Sequence, residues 1–218
     1  MDAKTDELRA AHDVLAEVYA ERLAGELDRM PVERAVLGLF CELTLAAGLG
    51  PDVGDVGCGT GRLAPYLSAH GLSPHGVDLS PEMVRVARRD HPAFPFAVAD
   101  LRDLPFADAS LAGVVCWYSL IFLAPEDRAA AFGELARVVK PGGHLVTAFK
   151  DGDGTLRRAG RTAGVEFDAY WLPADEMEHR LTTAGFTTLF RAARPAGEGE
   201  STPQGYLLTR RAGLPDGS

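Results

Sequence analysis

The sequence predicts an α/β fold, a parallel sheet covered by helices on both faces, and three observations carry that prediction. From residue 52 onward short apolar runs alternate with helix-like segments, the pattern of parallel strands joined by crossover helices. The run at 111–117 is apolar without a break, as a strand buried on both faces is. Residues 55–62, Asp-Val-Gly-Cys-Gly-Thr-Gly-Arg, place Gly57, Gly59 and Gly61 within five positions directly behind the first run. Glycines there remove Cβ atoms where a chain leaving a strand must turn sharply against a ligand.

Residues before about 48 read as helices that precede the βα repeat. Leu8, Leu15, Val18, Arg22 and Leu27 recur at three-to-seven spacing among charges, and Pro31 marks a second helix start. Residues 52–56 are the first strand, 60–70 a helix ended by Gly71, and 73–77 the second strand. Ser80-Pro81 opens the next helix, with serine as cap and proline at the first helical position. Residues 94–99 and 111–117 are the third and fourth strands and 125–139 is a long helix. Pro141-Gly142-Gly143 then turns the chain into a fifth strand at 144–149. Residues 150–164, rich in Gly, Arg and Asp, read as a loop or insertion. A helix at 173–184 ended by Gly185, and strands at 186–191 and 206–209 flanking the polar linker 195–203, complete the order.

The hydrophobic fraction of 46% suits one globular domain with additions. With 31 acidic against 22 basic residues the net charge is -9, which argues against a nucleic-acid partner. The basic clusters Arg85/Arg88/Arg89, Arg157/Arg158 and Arg210/Arg211 are short and read as solvated faces. No stretch is long and apolar enough for a bilayer and residues 1–7 carry no hydrophobic signal segment, so a cytoplasmic location without a membrane partner is expected. Cys41, Cys58 and Cys116 are far apart and read as free thiols, with no zinc spacing and no metal expected.

The glycine loop departs from the dinucleotide fingerprint G-x-G-x-x-G. Its third glycine comes one place early, and Arg62 stands where the fingerprint needs glycine. No Gly-Lys-Ser/Thr follows, which excludes a Walker phosphate loop. The next apolar run ends in Gly76-Val77-Asp78-Leu79-Ser80, and a carboxylate at that strand tip can accept two hydrogen bonds from ribose hydroxyls. Asp55, just ahead of the glycines, would repel a pyrophosphate and attract an amino group. A ligand with a ribose, an adenine and an ammonium suits both acids, and S-adenosylmethionine is such a ligand. Two alternatives stay open: an NAD(P)-dependent oxidoreductase, and a non-catalytic binding protein built on the cofactor fold.

Over residues 50–150 the chain resembles the class I S-adenosylmethionine-dependent methyltransferases, with a softer likeness to small-molecule enzymes of actinobacteria through Trp117–Ile121, Tyr170-Trp171 and Thr202–Leu208. Residues 55–61 match that family's first motif, 76–80 its second, Ala99-Asp100-Leu101 its third, and 137–143 its late landmark. The resemblance implies a three-layer Rossmann-like seven-stranded sheet in the order 3-2-1-4-5-7-6 with strand 7 antiparallel. It implies an N-terminal helical lid over 1–48, a cofactor-binding domain over 49–211 and a disordered tail over 212–218. It also implies that Asp78 holds the ribose and that Asp100 reaches the adenine amino group. Tyr19, Gly57, Cys58, Gly59, Gly61, Arg62, Leu79, Met83, Leu101 and Cys116 complete the implied cofactor set, with Asp55 at the methionine moiety. Gly54 departs from the family by placing glycine in the first strand, where it is expected to loosen that strand. Phe122 stands where many relatives carry histidine.

The expected activity is methyl transfer to a small-molecule acceptor at oxygen, nitrogen or carbon, in secondary metabolism. Methyl transfer from a sulfonium is an in-line displacement that depends on alignment and on exclusion of water. A base is needed only where the acceptor must lose a proton, and no residue declares itself as one. His12, Tyr118 and His144 are the candidates, while His70, His75, His91 and His179 read as surface or helix-end residues. Acceptor contacts are expected from Tyr118 and Phe122, and from Glu166, Asp168, Tyr170 and Trp171 in the later insertion, although the aromatic residues can equally serve as packing.

Overall fold

The computed structural model describes residues 3–213, the Thr162 side chain aside; of the expected disordered tail at 212–218, residues 214–218 lie outside the described residues, while Ala212 donates its amide to the Gly185 carbonyl at 2.8 Å. The central sheet contains β1 (Asp52–Val56), β2 (Ser73–Asp78), β3 (Phe96–Val98), β4 (Leu111–Trp117), β5 (Val139–Lys150), β8 (Phe186–Arg194) and β9 (Gln204–Arg211). Its order is β3-β2-β1-β4-β5-β9-β8, and a separate antiparallel pair is formed by β6 (Leu156–Ala159) and β7 (Phe167–Tyr170). With that inserted pair left out of the count, the order is the expected 3-2-1-4-5-7-6, and β9 runs antiparallel to both β5 and β8. Strands β1 to β5 are parallel, which puts every β-to-α turn of that half at one edge of the sheet.

Each strand divides its side chains between two faces because the pleat alternates them. Val114 and Cys116 of β4 join Leu135 and Val138 of α5 (Arg128–Val138) and Leu181 of α6 (Ala174–Thr183) on one face. Val115 and Trp117 join Leu37 and Phe40 of α2 (Pro31–Ala46) and Leu67 of α3 (Ala64–Ala69) on the other. Gly113 makes this contact possible, since a Cβ there would stand 2.8 Å from the Phe40 ring. Gly54 does not loosen β1: Leu111 reaches within 3.0 Å and Phe106 within 3.5 Å of where its Cβ would be, so neighbours fill the gap.

Four elements differ from the sequence expectation. The helix foreseen at 60–70 starts only at Ala64, because Gly61 takes a left-handed φ of 75° and the preceding residues wrap the end of β1. The helix foreseen from 125 begins at Arg128. Pro141-Gly142-Gly143 does not separate helix from strand but forms an irregularity inside β5, with Leu111 paired to Val139 and Gly113 to His144. Residues 150–164 are not simply a loop, because they contain β6. Its polar Leu-Arg-Arg-Ala sequence hides a strand held by cross-strand charge: Arg158 pairs with Asp168 at 2.7 Å, and the Arg157 guanidinium lies 4.3 Å from the Trp171 ring centre.

The N-terminal helix α1 (Ala3–Leu23) packs on α4 (Pro81–Asp90) through Ala11, Leu15, Met83 and Val86, and its other flank meets Phe167 of β7. Charge fastens it as well, with Glu17 on Arg85 and Arg89, and Glu7 on Arg158. Ser80 caps α4 by accepting the Met83 amide at 3.0 Å, and its hydroxyl donates to Asp13 of α1. Ser80→Ala is therefore expected to lower stability by about 1–2 kcal/mol in urea denaturation, the upper half reflecting the second bond of this fully buried hydroxyl.

Candidate functional site

A cavity of about 630 Å³ opens at the carboxyl ends of β1, β2 and β4, walled by α1 and by the β6–β7 pair. From the end of β1 it receives Asp55, Gly57, Cys58, Gly59 and Arg62. From β2 come Asp78 and Leu79, with Met83 from α4, and after β3 come Asp100 and Leu101. Tyr19 and His12 reach it from α1, Tyr118 and Phe122 from beyond β4, and Asp168 and Tyr170 from β7.

Asp78 joins two of these segments. Its Oδ2 accepts the Gly59 amide at 2.8 Å and its Oδ1 accepts the Ser80 amide at 2.9 Å. The carboxylate thus ties the glycine loop to the tip of β2 and still has lone pairs to offer a ligand. Burial raises its pKa, against the opposing pull of the two amides.

Asp55 is in a different state. It is 1% exposed, and neither carboxylate oxygen has a hydrogen-bond partner among the described residues. Burial pushes its pKa up to about 7, with Arg62 pulling it down and Asp78 adding to the rise. A buried acid without a partner is costly unless a cation arrives to compensate it. Beside it, Gly59 has φ 54° and a Cβ built there would meet nothing within 4 Å, so the loop leaves open room at the cavity wall.

Asp100 is held differently again, gripped by Arg102 at 2.7 Å (Oδ2) and 3.0 Å (Oδ1) while also accepting the Arg102 amide at 2.8 Å. Arg102 in turn donates to Thr5 of α1 at 2.9 Å and pairs with Asp127 at 3.0 Å. No local signal in the sequence singles out Arg102. An arginine two places after an aspartate reads as a solvated pair until the fold brings Thr5 and Asp127 to it.

Five expected residues lie outside the cavity lining. Gly61 serves packing, since a Cβ there would come within 2.6 Å of the Phe96 ring. Cys116 is fully buried on the α5 face of β4, where strand alternation turns it under the cavity floor. His144 sits in the middle of β5, paired with Gly113 and Arg210, short of Lys150, the residue by which β5 reaches the cavity. It is buried with Nδ1 unpartnered among the described residues, and burial, with Arg210, lowers its pKa. Trp171 lies beyond β7 under Arg157 instead. Glu166, also absent from the lining, pairs with Arg161 at 2.8 Å.

His12 lines the cavity with its Nδ1 on the Leu8 carbonyl at 2.9 Å, which requires the proton on that nitrogen. Its ring packs at 4.9 Å against both Phe122 and Phe167 and at 6.1 Å against Tyr19. Phe122, in the place of the family's histidine, is thus part of an aromatic wall. Asp168 is engaged by Lys4 and Arg158, and the Tyr170 ring lies 5.0 Å from the Arg128 guanidinium.

Residues 53–143, which hold β1 to the start of β5 and all three acids, match the family model described as a methyltransferase domain. Those residues form a methyltransferase domain, and the chain is similar to the class I S-adenosylmethionine-dependent methyltransferases. It is 35% identical over 127 residues to the malonyl-[acyl-carrier protein] O-methyltransferase of Pectobacterium atrosepticum, covering 58% of the chain and 49% of that relative. It is 31% identical over 184 residues to the O-methyltransferase cnsE of Penicillium expansum, covering 80% of the chain and 60% of that relative. The chain therefore spans about half the length of the curated relatives it matches. Among solved structures it resembles the 1,6-didemethyltoxoflavin-N1-methyltransferase of Burkholderia thailandensis. That match has a TM-score of 0.68 at 18% identity, over 97% of this chain and 92% of the other. The methyltransferase family takes S-adenosylmethionine as its cofactor, and two features fit that molecule here: Asp55, without a hydrogen-bond partner among the described residues, and the open space at Gly59.

Proposed function

We propose that this chain transfers the methyl group of S-adenosylmethionine to a hydroxyl- or amine-bearing small molecule. The observation that carries the reading is Asp55, a fully buried carboxylate with no partner of its own among the described residues, at the wall of a cavity bordered by bare main chain. Such a group calls for a fixed positive charge, and the methionine ammonium supplies one. In this reading Asp55, Cys58, Arg62 and the amides of Gly57 and Gly59 surround the methionine moiety, with Tyr19 closing over it. Asp78 takes the ribose hydroxyls. Leu79, Met83 and Leu101 flank the adenine, and Asp100, fixed by Arg102, faces its amino group. A nicotinamide dinucleotide would instead bring its pyrophosphate against Asp55, which opposes it.

The bound cofactor supplies an electrophilic methyl on a sulfonium. The protein's share is alignment and dryness. Tyr118, Phe122 and Tyr170 wall the remaining space, and α1 with the β6–β7 pair shields it from water. The O-methyltransferase relatives support oxygen as the attacking atom, while the fold neighbour named for N1 methylation keeps nitrogen in view. The absence of a long apolar helix among the described residues and the three free cysteines support a cytoplasmic location.

Calorimetric titration with S-adenosylhomocysteine tests the assignment. Wild type should bind, and Asp78→Ala should bind at least about tenfold more weakly, equivalent to ~1.4 kcal/mol. NADPH should give no thermal protection. Equal affinities in the two proteins would defeat it.

A further inference from the structure

His12 stands near the middle of α1, on the flank that faces the cavity. Its ring centre lies 4.9 Å from those of Phe122 and Phe167 and 6.1 Å from that of Tyr19, and all three of these rings line the cavity too. The next residue, Asp13, accepts the Ser80 hydroxyl and, at 3.2 Å, the Glu82 amide. Ser80 in turn gives its own amide to Asp78 at 2.9 Å. Hydrogen bonds therefore pin this turn of α1 beside the tip of β2, and aromatic contacts hold the imidazole against the wall that Phe122 and Phe167 build.

The two ring nitrogens have different duties. Nδ1 lies 2.9 Å from the Leu8 carbonyl, one turn back along the helix, and a carbonyl only accepts, so Nδ1 carries the proton. In the neutral ring Nε2 then holds a lone pair. Nε2 has no hydrogen-bond partner among the described residues, yet it is not sealed away as the Asp55 oxygens are. With the ring on the cavity flank, that accessible lone pair opens into the cavity. Other groups are poorly placed to take a proton there. Asp168 is held by Lys4 and Arg158, Asp127 by Arg102, and Glu200 by Arg194. Burial pushes the Tyr118 phenol up to about 12, so it keeps its own proton at neutral pH, and His144 lies outside the lining.

We propose that His12 Nε2 receives the proton of the methyl acceptor, so that the acceptor attacks through an oxygen or nitrogen that carries a hydrogen. The proposal rests on the methyltransferase reading above. The acceptor atom bonds to the methyl carbon as the methyl–sulfur bond breaks, and the electron pair of the broken bond stays on sulfur. The acceptor proton passes to Nε2, and the pair that held it stays on the acceptor atom. One positive charge leaves sulfur and one appears on the imidazole, so charge is conserved. Nδ1 keeps its bond to Leu8 throughout, which holds the ring in place. Asp78 lies within electrostatic reach of the imidazole and favours the charge that develops on it. Ethers, thioethers and tertiary amines have no such proton and fall outside the acceptor class.

The test uses protein saturated with S-adenosylhomocysteine and two probes read by fluorine NMR, 4-fluorophenol and 4-fluoroanisole. The anisole is the methylated form of the phenol, so the pair isolates the donated hydrogen in a site shaped to release a methyl ether. Wild type should bind the phenol at least about tenfold more tightly, because only the phenol donates to Nε2. His12→Phe keeps a ring in the aromatic wall but removes the lone pair, and it should cut the preference below about threefold with anisole affinity little changed. A second reading needs no stable Phe variant. In wild type carrying nitrogen-15 histidine, the His12 Nε2 resonance, assigned by its loss in His12→Phe or His12→Gln, should shift with the phenol and stay in place with the anisole. A ring that only packs would produce neither effect. Equal affinity for the two probes in wild type, no phenol binding, a preference that survives His12→Phe, or an Nε2 resonance indifferent to the phenol overturns the role of His12. S-adenosylhomocysteine affinity, measured in every protein, separates the two readings: its retention confines such a failure to His12, and its absence in wild type ends both.

Discussion

Asp55→Asn is expected to make the cofactor-free protein less sensitive to alkali and, at the same time, to cripple cofactor binding. Burial raises the folded-state pKa of Asp55 from an ordinary value of 3.8 to about 7. Between those values the folded chain holds a proton that the unfolded chain has lost. The stability contributed by the protonated group is fully present below the unfolded pKa and is lost as pH rises through the folded one. The loss amounts to about 4 kcal/mol in all, at ~1.4 kcal/mol for each tenfold difference in proton affinity between the two states. Asparagine does not titrate. The difference in stability between variant and wild type should therefore grow in the variant's favour by about 3 kcal/mol from pH 5 to pH 8 in urea denaturation. A difference that stays flat across that range would show that Asp55 is ionised at both ends of it. Cofactor binding should move the other way, weakening by about 2 kcal/mol or more, roughly thirtyfold, because a buried ammonium then faces no carboxylate. Wild-type binding should itself tighten as pH rises through about 7, with protons released on binding, and the variant should lose that dependence.

Gly57→Ala and Gly59→Ala are expected to separate folding from binding within one loop. Both residues have positive φ, 76° and 54°. An alanine at Gly57 would place its Cβ 2.2 Å from the Ser119 Cβ, an atom that no side-chain rotation can move. Ser119 is itself pinned, its hydroxyl donating to the Val56 carbonyl at 2.8 Å. Left-handed strain and the overlap together should cost about 2–5 kcal/mol, visible as a lower urea midpoint. At Gly59 a Cβ meets nothing within 4 Å, so only the strain remains, about 1–2 kcal/mol. Gly59 lines the cavity, and a methyl group placed on it should cost at least tenfold in S-adenosylhomocysteine affinity. Equal stability losses in the two variants would contradict the contacts described for Ser119.

Much of the fold can be read along the chain because its signals are local. A proline after Ser80, an unbroken apolar run at 111–117 and glycines behind a strand each act over a few residues, and each marks an element boundary close to where the structure puts it. The β6–β7 pair is hidden in the sequence because its strands are only four residues long and β6 is half arginine. They are held by Arg158 with Asp168 and by Arg157 on Trp171, partners that become adjacent only once the hairpin forms. The candidate site shows the same division. Asp55, Asp78 and Asp100 stand at or just beyond the tips of successive parallel strands, and parallel strands bring their tips to one edge. Cys116 falls outside the cavity because a one-residue step along a strand reverses the face, and His144 because it lies in the middle of β5, a strand that reaches the cavity only at Lys150.

From the sequence alone come the alternation of strands and helices, the bare loop and the acids at strand ends, since these follow from backbone preference and from the spacing of apolar residues. The tertiary structure alone decides which groups find partners. Among the described residues Asp55 is left without one while Asp78 is bound by two amides, and Glu33 meets Arg194 across 161 positions of chain. The physical reason is that burial and hydrogen bonding depend on distance in space. Only a packed sheet, with helices laid on both faces, brings those distant residues within the few ångströms at which charge and protons are exchanged.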